Sequence, residues 1–197
     1  MALVRVASVS KAADKPARLT PEQVRMIFET RAKAELAAAD ALAPGSDIVA
    51  YSGALFAEVA LVKGLPGPAE ASGGAAMSGA DGEAARKALV ALGWPDDAIF
   101  ATLSRPEPGL PAEQRADRLR MQIEAVDPAL VVALDAEAAA DLAEAFGVAT
   151  PAFGAEQRVL GRRIVAVDGL EASLSDVARK KRVWTQLQAA KAEGAVY

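Results

Sequence analysis

Short apolar runs bounded by turn residues recur along this chain, and the segments between them repeat their apolar positions every three or four residues. The runs are Asp47-Ile-Val-Ala-Tyr51, Ala98-Ile-Phe-Ala-Thr102, Leu130-Val-Val-Ala-Leu134 and Arg163-Ile-Val-Ala-Val167. Because they are apolar throughout and do not alternate, they predict strands covered on both faces, as in a parallel sheet. Thr20, Pro21 and Gln23 supply a capping box with proline at the first helical position, predicting a helix to about Ala43 that buries Val24, Ile27, Phe28, Ala32 and Leu36. Pro44 and Gly45 end it. Further helices are predicted over Gly82 to Leu92, Pro111 to Val126, Ala136 to Phe146 with Asp135 as N-cap, and after Ser175, where Val177, Val183, Trp184 and Leu187 form an apolar stripe taken as core.

Strands alternating with helices predict an α/β fold, a three-layer α/β/α sandwich around a mainly parallel sheet of about four strands. Residues 1–19 lack sustained periodicity and are expected to form an arm, with 20–197 as a single domain. Residues 52–81 break the alternation. Their Gly64-Leu-Pro-Gly67 and their Ala/Ser/Gly stretch predict a long loop, the first place to look for a ligand site in such a fold.

The composition narrows the chemistry. With 197 residues and 52% hydrophobic content the chain suits one compact core, built from Ala, Leu and Val because aromatic residues make up only 5%. It contains neither cysteine nor histidine. Disulfides, thiolate nucleophiles and cysteine-ligated zinc or iron–sulfur centres are thereby excluded, as is the side chain most often used as acid or base near neutral pH. No metal and no cofactor is expected. No apolar run follows the basic residues near the start, so neither a signal peptide nor a membrane span is predicted and the expected location is cytoplasmic. The net charge is −4, with basic residues in excess at both ends and acidic ones between. Such ends read first as solvated tails and helix faces.

Four stretches, in order, resemble the iron–sulfur-containing branch of the uracil-DNA glycosylase superfamily, over roughly residues 47–188. Ser78-Gly-Ala-Asp-Gly82, continuing to Leu92-Gly-Trp94, is similar to that family's Gly-x-x-Gly-x-x-Leu helix. Ala98 to Pro106 resembles a strand leading into an Arg-Pro loop. Met121-Gln-Ile to Leu134 resembles a Gln-Ile helix, a Pro turn and the third strand, and Lys181-Arg-Val-Trp-Thr-Gln-Leu187 resembles the end of the C-terminal helix.

The resemblance implies a ligand pocket at Ser52, Gly53, Met77, Thr102, Leu103 and Asp168, and each position departs from the family's chemistry. Where the family opens its first strand into Gly-Glu-Ala-Pro-Gly, this chain reads Ser52-Gly-Ala-Leu-Phe56, with Gly53 at the acid that directs water. Met77 stands for the aromatic residue that stacks on a flipped base. Leu103, beside Thr102, replaces the asparagine that reads a pyrimidine edge and cannot make its hydrogen bonds. Asp168-Gly-Leu170 replaces a His-Pro-Ser motif, and an ionised Asp168 opposes the charge that builds on a departing base. The cluster cysteines are missing.

Other features carry a sharp reading beside a plain one. Gly79 and Gly82 at a helix start could cradle phosphate, while Asp81 capping that helix accounts for them as well. Arg105, Arg162 and Arg163 could contact a DNA backbone or be ordinary surface charge. Lys180-Lys181-Arg182 beside Trp184 could form a basic and aromatic contact patch. Asp135 with Asp141 or Glu144, and Asp168 with Glu171, form carboxylate pairs without a further metal ligand.

The expectation is a glycosylase-like domain that has lost base excision and binds DNA or a protein partner. The alternatives are an active glycosylase using Ser52, Thr102 or Asp168 on an altered base, and an unrelated nucleotide-binding α/β protein.

Overall fold

The computed structural model describes residues 18–43, 45 and 48–193. The expected arm therefore lies outside the described residues except for Arg18 and Leu19. Helix α1, Pro21–Asp40, begins as its capping box predicts: Thr20 Oγ1 accepts from the amide of Gln23 at 3.2 Å, and Gln23 Oε1 accepts from the amide of Thr20 at 2.8 Å. The chain continues through β1 (Ser52–Gly53), β2 (Val59–Lys63), a single turn α2 (Pro68–Ala71), α3 (Ala80–Ala91), β3 (Ile99–Leu103), α4 (Ala112–Val126) and β4 (Leu130–Ala133). It ends with α5 (Ala136–Phe146), β5 (Glu156–Val159), β6 (Arg162–Ala166), the short α6 (Leu170–Ser173) and α7 (Val177–Leu187).

The α/β class holds, with a larger and mixed sheet. Among the described residues six strands lie in the order β1-β3-β2-β4-β6-β5; the inner four are parallel and the two edges antiparallel. Helices cover both faces. On one side Leu89 of α3 and Val183 and Leu187 of α7 pack with Leu61, Leu103 and Val132; on the other, Leu36 of α1, Ile123 of α4 and Leu142 of α5 pack with Ala60, Phe100 and Ile164.

Three expectations are corrected. The first parallel strand is β2, and Ile48 to Tyr51 form no strand, Asp47 lying outside the described residues. Every residue of Val59–Lys63 is buried between β3 and β4, whereas among Ile48 to Tyr51 only Val49 is buried. Ile48 to Tyr51 is a rim segment whose Ala50 carbonyl accepts from the amide of Ala76. Residues 52–81 are accordingly not one long loop but contain β1, β2 and α2. The polar edge strand β5 pairs with β6 through a two-residue turn in which Leu160 (φ 50°) and Gly161 (φ 85°) are both left-handed, the geometry that matches strand twist in tight hairpins.

Second, the apolar stripe of α1 is only half buried. Ala32, Leu36 and Ala39 are in the core, while Val24, Ile27 and Phe28 are exposed. Third, Trp184 is 43% exposed and Val177 is 73% exposed; α7 uses Val183 and Leu187, one turn apart, as its buried edge.

Candidate functional site

The inner strands reverse direction of growth at β2: β3 lies on one side of it, β4 and β6 on the other. In open parallel sheets, ligands bind at such a point, beyond the C-terminal ends of the strands. Here that place is a crevice of about 480 Å³, lined by Lys63 at the end of β2, Leu65 and Pro66 after it, Leu134 and Asp135 after β4, and Gly169 to Ala172 after β6.

Lys63 is its centre. The side chain is 5% exposed, and its ammonium lies 2.6 Å from Asp81, 2.8 Å from Glu171 and 3.4 Å from Glu70. An ammonium has three N–H donors, and three carboxylates receive them. Burial works against the charge, yet the hydrogen bonds to Asp81 and Glu171 and the nearby negative charges outweigh it and hold the lysine above its ordinary range. Lys63 is therefore a locked cation and not a free amine. Nucleophilic or base chemistry needs a lysine displaced the other way.

The loops around it are held as firmly. Glu70, 3% exposed, accepts from the amides of Gly67 and Met77 as well as from Lys63. Asp135 caps α5 through the amide of Ala138 at 2.7 Å and ties down the amide of Gly64 at 2.9 Å; burial raises its pKa against the pull of those two amides. A Cβ at Gly67 would stand 2.5 Å from Lys63 Nζ and 2.7 Å from Glu171, so a side chain there would displace that ion pair. Among the described residues Lys63 is the one basic side chain lining the crevice, against Asp81, Asp135, Glu137 and Glu171. That balance repels phosphate. Among the described residues no group of three or more acidic side chains is placed to hold a metal ion.

None of the six positions implied by the resemblance lines this crevice. Ser52 and Gly53 form the edge strand β1, with Ser52 Oγ donating to the carbonyl of Ala76 at 2.6 Å. Met77 is fully buried in the core. Thr102 faces the opposite layer, donating to Gln122 of α4 at 2.8 Å, and Leu103 is fully buried at the end of β3, its carbonyl accepting from Arg118. Asp168 follows β6, three strand spacings or about 14 Å from β3, and is paired with Arg182 at 3.2 Å.

The phosphate candidates are also engaged within the protein. Arg105 forks onto Asp141 at 2.9 and 3.1 Å, and Asp141 also receives Ser104 Oγ at 2.6 Å and lies 3.0 Å from Arg115. Arg162 pairs with Asp127, and Arg163 with Glu156 and two carbonyls. Gly79 precedes a helix whose first turn already holds Asp81 and Glu83, and Gly82 is needed because a side chain there would strike the carbonyl of Met77.

Lys63 and Glu70 escaped the sequence reading because β2 was placed in a loop, and Asp81, expected to cap α3, lies inside its first turn with Gly79 at the N-cap and accepts from Lys63 instead. The signal was present: Val59-Ala-Leu-Val62 is an apolar run immediately before Gly64-Leu-Pro-Gly67. Among the described residues, no helix is long and apolar enough to cross a membrane. Compared with known proteins, the sequence matches no family model and no curated protein.

Proposed function

We propose that this chain is a catalytically silent relative of the uracil-DNA glycosylases that serves as a protein-binding module. The observation that carries the reading is the saturation of Lys63 by Asp81, Glu171 and Glu70 in the crevice where a sheet of this kind would hold its ligand. A base-excision site needs a carboxylate free to orient water, donors for the departing base and a positive approach for the strand. This crevice offers surplus carboxylates with no free cation among its lining residues.

The position of β2 also supports the family resemblance while moving one of its motifs. The segment after the first parallel strand is Lys63-Gly-Leu-Pro-Gly67, and it takes the place of Gly-Glu-Ala-Pro-Gly. Gly64 then stands at the acid position, so that acid is absent under either placement. Protein is favoured over nucleic acid because Arg105, Arg162 and Arg163 are spent on Asp141, Asp127 and Glu156.

The test is fluorescence anisotropy with single-stranded and duplex oligonucleotides containing uracil, at two salt concentrations, with strand cleavage after alkali read from the same samples. The expected result is no cleavage above background and no salt-sensitive binding. Salt-dependent binding without cleavage would move the reading to a DNA-binding module, and cleavage would overturn it.

A further inference from the structure

The basic and aromatic segment of α7 is not absorbed by the crevice. Lys180 and Trp184 are four residues apart and Val177, Lys181 and Trp184 lie at successive turns, so these side chains share one side of the helix. That side is exposed and overlooks a groove of about 300 Å³ between α3 and the α6–α7 pair. The floor is apolar: Ala84 and Ala88, one turn apart on α3, leave a dent that Leu174 and the Trp184 ring border. The rim is positive. Lys180 and Lys181 are exposed and have no carboxylate partner among the described residues, in contrast to Arg182, which is held by Asp168.

Two unpaired lysines beside a half-exposed tryptophan and a floor of alanine and leucine define a complementary occupant. Its charge must be negative, and it must bring an aliphatic or aromatic group to fill the dent. A nucleic-acid strand supplies the charge but asks for donors along its backbone, which this floor lacks. We infer that the groove between α3 and α6–α7 docks an acidic amphipathic segment of a partner protein, its apolar anchor entering between Ala84, Ala88 and Leu174 against Trp184 while its carboxylates meet Lys180 and Lys181. The inference rests on the protein-binding reading above and names its surface. A short amphipathic helix suits the length of α7, whose 11 residues span about 16 Å.

The test is selection of random dodecapeptides displayed on phage against the full chain, followed by titration of the enriched peptides into wild type and the K180E/K181E variant. Both lysines are exposed, so the variant folds, as circular dichroism can verify. Tryptophan emission locates the binding: Trp94 is buried with its Nε1 donating to the carbonyl of Ala190, so a shift in emission belongs to Trp184 and disappears in W184F. Enriched peptides are expected to carry Asp or Glu beside aliphatic or aromatic residues, to shift the Trp184 emission to shorter wavelength, and to bind K180E/K181E at least about tenfold more weakly. Peptides that bind the variant as tightly as wild type leave the protein-binding reading standing and remove this groove from it. Failure to enrich any peptide overturns the inference, and excision of uracil in the oligonucleotide assay overturns the reading beneath it. An oligothymidylate strand that perturbs Trp184 in wild type but not in K180E/K181E assigns the groove to nucleic acid instead.

Discussion

Replacing Lys63 by methionine keeps the length of the side chain and removes its charge, leaving Glu70 and Asp81, 3% and 5% exposed, without their shared cation. Breaking a buried ion pair by removing one partner costs about 3–5 kcal/mol. Since a domain of this size loses about 2–4 °C of Tm per kcal/mol, K63M should melt about 6–20 °C below wild type at pH 7. Thermal unfolding followed by circular dichroism measures this directly. The triple variant K63M/E70Q/D81N, which also neutralises the stranded carboxylates, should recover most of the loss. The pH dependence gives a second check. Because Lys63 is held above its ordinary value, its contribution is fully present below the unfolded-state pKa, about 10.4, and is lost as pH rises through the folded-state value. The gap between wild type and K63M should be constant from pH 7 to about pH 10 and close above it. A K63M variant within about 0.5 kcal/mol of wild type would mean that water screens the cluster, and the claim of a locked cation would fail.

Other consequences follow from particular contacts. Sodium borohydride added with abasic-site DNA should trap no cross-link to Lys63, since its amine is charged and its three donors are taken; a mass-spectrometric adduct at that residue would refute this. Arg118 is fully buried and joins Asp40 of α1 at 2.8 Å to the carbonyl of Leu103 at 2.9 Å, so R118A should lose about 3–5 kcal/mol in urea unfolding, with D40N losing less. Leu160 sits at φ 50° in the tight turn of the β5–β6 hairpin, where a branched side chain is strained and asparagine is not. L160N should therefore raise stability by about 0.5–1 kcal/mol, and a loss of stability would contradict the turn geometry.

What the sequence made legible was local chemistry. Thr20 and Gln23 cap α1 and Asp135 caps α5 because short polar side chains reach nearby amides wherever the fold places them. The runs at 98–102, 130–134 and 163–167 sit within one residue of β3, β4 and β6. What was not legible depended on partners. Ile48-Val-Ala and Val59-Ala-Leu-Val look alike as runs, and only the sheet order shows that the second is enclosed between two strands. Trp184 matched the helical period of Val177 and Leu187, but the groove it borders has nothing packed over it among the described residues. The site followed the same pattern: Asp135 was visible as a cap, whereas the approach of Lys63, Asp81 and Glu171 joins residues far apart in the chain.

The central claim, that the switch-point crevice is catalytically silent, is tested most directly by a single-turnover excision assay with protein in excess over single-stranded DNA carrying one uracil. Under those conditions even a slow enzyme accumulates product, because neither turnover nor weak binding limits the yield. The account predicts abasic sites at the level of the protein-free control over hours. Time-dependent excision by wild type that K63M or D135N abolishes, while both variants remain folded, would contradict it.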